Sequence, residues 1–174
     1  MSRTFVSICM LCLVHLGLQA AVVPVANADF EAGTDQSIES WTVSQGTATR
    51  LADGDEHFVR MVNQSQGRVI LEQEIDIPKD LRMRDGTLSA IVRTADYKRG
   101  EKSYQSARIT LDFLSPEGKM IRRFMLVVEE QQDEWKALER SITVPGNAVK
   151  LKVWPGMFFQ SGTFDLKQIT LTVD

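Results

Sequence analysis

Cysteine is almost missing from this chain. Among 174 residues there are two, Cys9 and Cys12, and both lie in an apolar opening segment. The stretch from Asp29 to Asp174 has none, which excludes a disulfide framework and thiolate chemistry there. Histidine is as scarce, and beyond the opening segment only His57 remains. A Ser-His-Asp relay would have to use it, yet it sits in a strand-like run beside Phe58, and no Gly-x-Ser-x-Gly elbow accompanies it. One imidazole and no thiol leave a zinc site almost without ligands, so His57 reads as a structural or surface residue. No block of basic residues occurs and the formal net charge is −3, so the footprint of a nucleic-acid binder is lacking. After the opening segment there is no helix-period stretch of useful length and no internal repeat. Two carboxylates alone can run glycoside hydrolysis, but nothing in the sequence brings a pair such as Asp112 and Glu139 together. The chain reads as non-catalytic.

What is present begins with Met-Ser-Arg, a largely apolar run from Phe5 to Leu18, and Ala26-Asn27-Ala28. A basic start, a short apolar core and a small-x-small end are the parts of a secretory leader, here expected over residues 1–28. The apolar run is short for a membrane span, and no later segment could cross a bilayer. An exported domain, periplasmic or extracellular, is expected over residues 29–174, long enough to bury a real core.

From Asp29 onward β patterning is nearly continuous. Strand-like runs at Trp41–Ser44, Thr47–Leu51, His57–Val62, Arg68–Ile75 and Thr87–Arg93 are separated by Gly, Asp-Gly and Asn turns. Residues 78–85 read as a charged connection with room for one helical turn, and Ala95–Gln105 as a long polar loop. Ala107–Leu114 alternates cleanly, with Ile109, Leu111 and Phe113 facing in and Arg108, Thr110 and Asp112 facing out. Ser115-Pro116-Glu117-Gly118 turns it into Met120–Val128. Trp135–Val144, Val149–Trp154 and a closing strand through Asp165 follow, the closing strand alternating Leu166, Gln168, Thr170 and Thr172 against Lys167, Ile169, Leu171 and Val173 and expected to pair with Asp29-Phe30-Glu31. Ten or eleven short strands with no room for crossover helices predict an all-β, antiparallel β-sandwich. Asn63-Gln64-Ser65 is a glycosylation sequon and is read as chance.

Several pieces, taken together and in order, carry a resemblance. Asp29-Phe30-Glu31-Ala32-Gly33 followed by Trp41 resembles the opening of galactose-binding-domain-like jelly rolls. Leu88–Arg93, the Ile109–Phe113 strand with Pro116-Glu117-Gly118-Lys119, and Trp135 followed by Thr143–Ala148 resemble later pieces of the same family, as does Gly162-Thr163-Phe164-Asp165 with Ile169 and Leu171. The resemblance is to the carbohydrate-binding modules attached to bacterial cellulases and xylanases. It implies a jelly roll, a glycan as partner, and a structural Ca2+ held by the residues matching the family's acidic positions, Glu31 and Asp165. Hard oxygen ligands from the two chain ends would tie the termini together.

A glycan site needs aromatic faces for the apolar side of a pyranose and polar groups for its hydroxyls. The candidates are Tyr97 and Tyr104 in the long loop, Trp154, Phe158 and Phe159 around an expected Pro155-Gly156 turn, and Arg93, Arg108, Thr110 and Asp112 on outward strand faces. Trp41 and Trp135 read as core residues. The alternative is a structural domain that meets another envelope protein, for which Met157-Phe158-Phe159 would form an exposed apolar patch.

Overall fold

The computed structural model describes residues 21–64 and 67–174. Residues 1–20, most of the expected leader, and Ser65 of the sequon lie outside the described residues. Thirteen strands are described, in order β1 (Ala21–Val22), β2 (Gly33–Thr34), β3 (Ser37–Ile38), β4 (Thr42–Gln45), β5 (Ala48–Asp53), β6 (Glu56–Asn63), β7 (Arg68–Asp76), β8 (Asp85–Ala95), β9 (Ala107–Leu114), β10 (Met120–Val127), β11 (Lys136–Thr143), β12 (Lys150–Phe158) and β13 (Gly162–Val173). A single 3₁₀ turn over Lys79–Leu81 fills the charged connection between β7 and β8. Among the described residues no helix is long and apolar enough to cross a membrane.

Two antiparallel sheets pack face to face as a jelly-roll sandwich. One has the order β11-β8-β13-β6-β5, with β1 added to the far end of β13. The other has the order β10-β9-β12-β7-β4. Period-2 alternation explains which side chains meet between them. Leu88, Ala90 and Val92 of β8 face Ile109, Leu111 and Phe113 of β9 across a core that also takes Val59, Met61, Leu71, Leu151 and Val153. Trp41 is in this core, with its ring 5.6 Å from Phe30.

Three expectations about the last third change. The closing strand pairs with β6 and β8, and at its end with β1, whereas Asp29-Phe30-Glu31 forms no strand. Phe30 instead turns inward at φ 60° and is fully buried. Strict alternation along β13 would point Leu166 and Ile169 to opposite faces. A bulge at Lys167, where the pairing with β8 steps from Leu166–Val92 to Gln168–Ile91, inserts one residue and returns Ile169, Leu171 and Val173 to the core. Finally, Pro155-Gly156 is no turn. β12 runs straight through both residues, and its ladder with β7 is interrupted between Val153–Gln73 and Gly156–Ile70, which accommodates a proline without an N–H in a central strand.

The residues just before Asp29, assigned to the leader by sequence, pack onto this frame. Val23 is buried, and its N–H donates to Leu171. The Gln73 carboxamide accepts from Ala26 N–H and donates to Ala26 C=O and Ser40 C=O. The Asn27 side chain donates to Ala32 C=O and Glu39 C=O and accepts from Ala32 N–H, and Asn27 C=O accepts from the Trp41 indole.

Candidate functional site

The outward face of the β10-β9-β12-β7 sheet carries a cleft of about 640 Å3. Its floor comes from β9 and β12 and its wall from the loop before β9. Gly156 lies opposite Arg108 in the ladder. A side chain there would come within 2.6 Å of the Val69 carbonyl and 3.1 Å of the Phe158 ring, so only glycine lets that ring lie against the strand. Phe158 stands edge-on to Trp154 at 5.6 Å. Phe159 follows at φ 56°, a left-handed conformation that a bulky residue rarely adopts, and this turns its ring into the cleft, edge-on to Tyr104 at 5.6 Å.

Each of these four rings holds a cation. Arg108 of β9 lies 4.0 Å over Phe158, Arg68 of β7 4.4 Å over Phe159, Arg123 of β10 5.0 Å over Trp154, and Lys102 5.8 Å over Tyr104. Asp112 is the acidic partner on this face. It accepts two hydrogen bonds from Arg123, at 2.6 and 2.7 Å, and one from the Trp154 indole at 3.1 Å, which fixes the angle of the tryptophan ring. The hydrogen bond to Asp112 raises the pKa of Arg123. Arg108 is 8% exposed; its Nη1 donates to Tyr104 C=O and Ser106 Oγ, and its Nε is buried without a partner. Burial, with the guanidiniums of Arg123 and Arg68 nearby, pushes its pKa down.

Of the residues nominated from sequence, the fold brings Tyr104, Arg108, Trp154, Phe158 and Phe159 into the cleft, with Asp112 beneath Trp154. Tyr97 is elsewhere. It is buried, its hydroxyl donating to Val128 C=O at 2.7 Å and accepting from Ala107 N–H at 3.2 Å, so it ties the long loop to the sandwich, and burial raises its pKa. Arg93 is on the other sheet. It stacks on Trp135 at 4.3 Å and pairs with Asp165. Trp135, expected in the core, is half-buried on that same outer face, edge-on to Phe58 and donating from its indole to Asp53 at 2.9 Å. Met157-Phe158-Phe159 makes no exposed apolar patch, because Met157 and Phe158 are buried. Sequence reasoning missed Arg68, Lys102 and Arg123. Their one signal was that each is a cation within a few residues of a turn, which is too common to select them.

Glu31 and Asp165 do not meet as a calcium pair. Asp165 is 2% exposed, and its carboxylate accepts from Arg60 at 2.8 and 2.8 Å and from Arg93 at 3.0 and 3.2 Å. Two guanidiniums supply the positive charge that a cation would bring, and repel one. Glu31 is occupied by His57, accepting from its N–H at 2.9 Å and meeting its Nδ1 at 2.6 Å, and the hydrogen bonds from His57 lower its pKa. Among the described residues no group of three or more His, Cys, Asp or Glu side chains forms a metal cluster. The pair does not fit Ca2+.

No family model matches the sequence, and comparison with curated proteins finds no match either. Solved structures do match in fold. The enzymatically active domain of tailspike protein 4 of bacteriophage CBA120 superposes with a TM-score of 0.66 at 14% identity, over 86% of this chain and 21% of that one. A cyclase from Fischerella sp. TAU matches at 0.62 and 13%, over 90% and 98%. The CBM22-1 xylan-binding domain from Paenibacillus barcinonensis Xyn10C matches at 0.55 and 13%, over 84% and 91%. This chain thus spans about a fifth of the tailspike domain but nearly the whole of the xylan-binding module. Carbohydrate-binding modules of families 4, 16 and 61 share the sandwich as well. The chain has the fold of these modules.

Proposed function

We propose that this chain is an exported, non-catalytic carbohydrate-binding module that takes a glycan into the cleft over β9 and β12. The observation that carries the reading is the aromatic set of Tyr104, Trp154, Phe158 and Phe159 around one concave site, with hydrogen-bonding Arg, Lys and Gln side chains in its lining. Cavities of this size with apolar walls and a few fixed polar groups suit small ligands or short stretches of polymer. The likeness in fold to a xylan-binding domain and to a module solved with β-1,4-galactotriose supports the same class of ligand. The cleft favours a glycan over a flat protein partner, because its largest side chains lie inside a concavity and form no contiguous exposed patch.

The test is affinity electrophoresis through gels containing xylan, β-glucan, galactan or acidic plant and algal polysaccharides. The protein should be retarded by at least one class. Trp154→Ala should lose about 2 kcal/mol or more of that affinity, as a central anchor does. Migration unchanged in every gel, with the protein folded, overturns the reading.

A further inference from the structure

We infer that the cleft selects an anionic saccharide, one that carries a carboxylate or a sulfate ester, seated among Arg108, Arg68 and Lys102. The inference rests on the glycan-binding reading and names the ligand class within it.

The cleft carries charge without a counter-charge. The chain as a whole is acidic, with a formal net charge of −3. Even so, three guanidiniums and an ammonium line one cleft. Asp112 neutralises Arg123. Among the described residues no carboxylate lies within ion-pair distance of Arg108, Arg68 or Lys102. Elsewhere in the domain Arg60 and Arg93 share Asp165, Lys150 has Glu74, Lys152 has Glu72 and Lys167 has Glu56, while Arg50, equally buried, has its guanidinium held by the carbonyls of Phe30 and Glu31. Buried charges persist when they are paired. Arg108 is more than nine-tenths buried and lines the cleft with its Nε unpartnered. An oxyanion in the cleft supplies the counter-charge that no carboxylate of the described residues gives this guanidinium.

The aromatic rings of the cleft are already engaged by these cations. A neutral pyranose stacks on a free aromatic face. Here Phe158, Phe159, Trp154 and Tyr104 each already have a cation against a face. The stacks hold the guanidiniums in place, and guanidiniums recognise planar or tetrahedral oxyanions by charge-assisted hydrogen bonds. Thr110, on the same strand face as Arg108, is fully buried and outside the cleft lining, so it is no part of the site.

The test compares acid and neutral members of one backbone by titration calorimetry in 50 mM salt without divalent ions. The carboxylate arm is oligogalacturonide against its methyl ester, and the sulfate arm is a sulfated galactan oligosaccharide against its desulfated form. Poly-L-glutamate serves as a polyanion without sugar. The acid member of one arm should bind at least tenfold tighter than its neutral form, and the arm that responds names the group. Arg68→Gln, on an exposed side chain with no role in the core, and Arg108→Gln should each reduce acid binding about 10- to 100-fold, the effect of losing a hydrogen bond to a charged group. Arg122→Gln, outside the cleft, should leave it unchanged. Should Arg108→Gln fail to fold, Arg68→Gln carries the test. Equal affinity for acid and neutral forms overturns the inference and leaves glycan binding standing. Equal binding of polyglutamate, or acid binding indifferent to Arg68→Gln, also overturns it, since diffuse charge then accounts for the result. No binding to any saccharide sinks both readings.

Discussion

Replacing Asp165 by asparagine keeps the shape of the side chain and removes its charge. In the native fold Asp165 accepts four hydrogen bonds from two arginines and is 2% exposed. Asparagine leaves two guanidiniums facing each other and turns two acceptor sites into donors aimed at donors. Removing one partner of a fully buried pair costs about 3–5 kcal/mol. Here the side chains of Arg60 and Arg93 are 39% and 26% exposed, so both can recover water, and the lower figure of about 2–3 kcal/mol is expected. For a domain of this size that corresponds to a Tm lower by about 4–12 °C. Urea unfolding followed by tryptophan fluorescence at pH 7 measures it, with an unchanged denaturant slope as the check that only the native state was altered. Arg60→Gln should cost about 1 kcal/mol, because Arg93 still holds the carboxylate. A midpoint for Asp165→Asn within 0.5 kcal/mol of wild type would refute the claim that this ion triad secures β13 to β6 and β8. A Tm that rises with calcium and falls with chelator in wild type, and not in Asp165→Asn, would refute the finding that arginines occupy the place of a cation.

Three further outcomes are expected. Glu31 has its pKa lowered from 4.5 by hydrogen bonds from His57, so it contributes stability above that pH and loses it as pH falls through the lowered folded value. Glu31→Gln should therefore flatten the acid limb of a plot of Tm against pH below 4.5 and leave it alone near neutrality. Gly156→Ala forces a methyl against a backbone carbonyl and the Phe158 ring, so it should cost about 1–3 kcal/mol and weaken glycan binding in the same gels. N-terminal sequencing of the protein purified from its source should read Ala21 or earlier, because cleavage after Ala28 would strip β1, take from the Gln73 carboxamide its two partners at Ala26 at about 1–3 kcal/mol, and remove the Asn27 side chain that binds Ala32 and Glu39. A start at Asp29 in a stably folded product would contradict that packing.

The fold was legible because its determinants are local. Alternation in Ala107–Leu114 and Thr87–Arg93 states which residues face the core, and Asp53-Gly54 and Pro116-Glu117-Gly118 state where the chain turns. Errors came where a single residue shifts a pattern. The bulge at Lys167 reverses parity midway along β13, and Pro155 in a central strand looks like a stop unless one sees its ladder broken on one side only. The aromatic half of the cleft was legible for the same reason, since Trp154, Phe158 and Phe159 are near neighbours in sequence. Of its cationic half only Arg108 was. Arg68 comes from β7, which lies beyond β12 from β9, and reaches the cleft only in the folded sheet, while Arg123 and Lys102 carry no local sign of the site. Arg93 and Trp135 show the converse. Each has the right chemistry for a glycan site, yet β8 and β11 belong to the opposite sheet.

The central claim is that a glycan occupies the β9–β12 cleft and not the other aromatic face, where Trp135 stands with Phe58 and Arg93. Tryptophan fluorescence separates the two, because each face has its own indole. A saccharide that binds should change the emission of wild type and of Trp135→Phe, and the change should vanish in Trp154→Phe. A change that persists in Trp154→Phe and vanishes in Trp135→Phe would contradict the account and move the site to the opposite sheet.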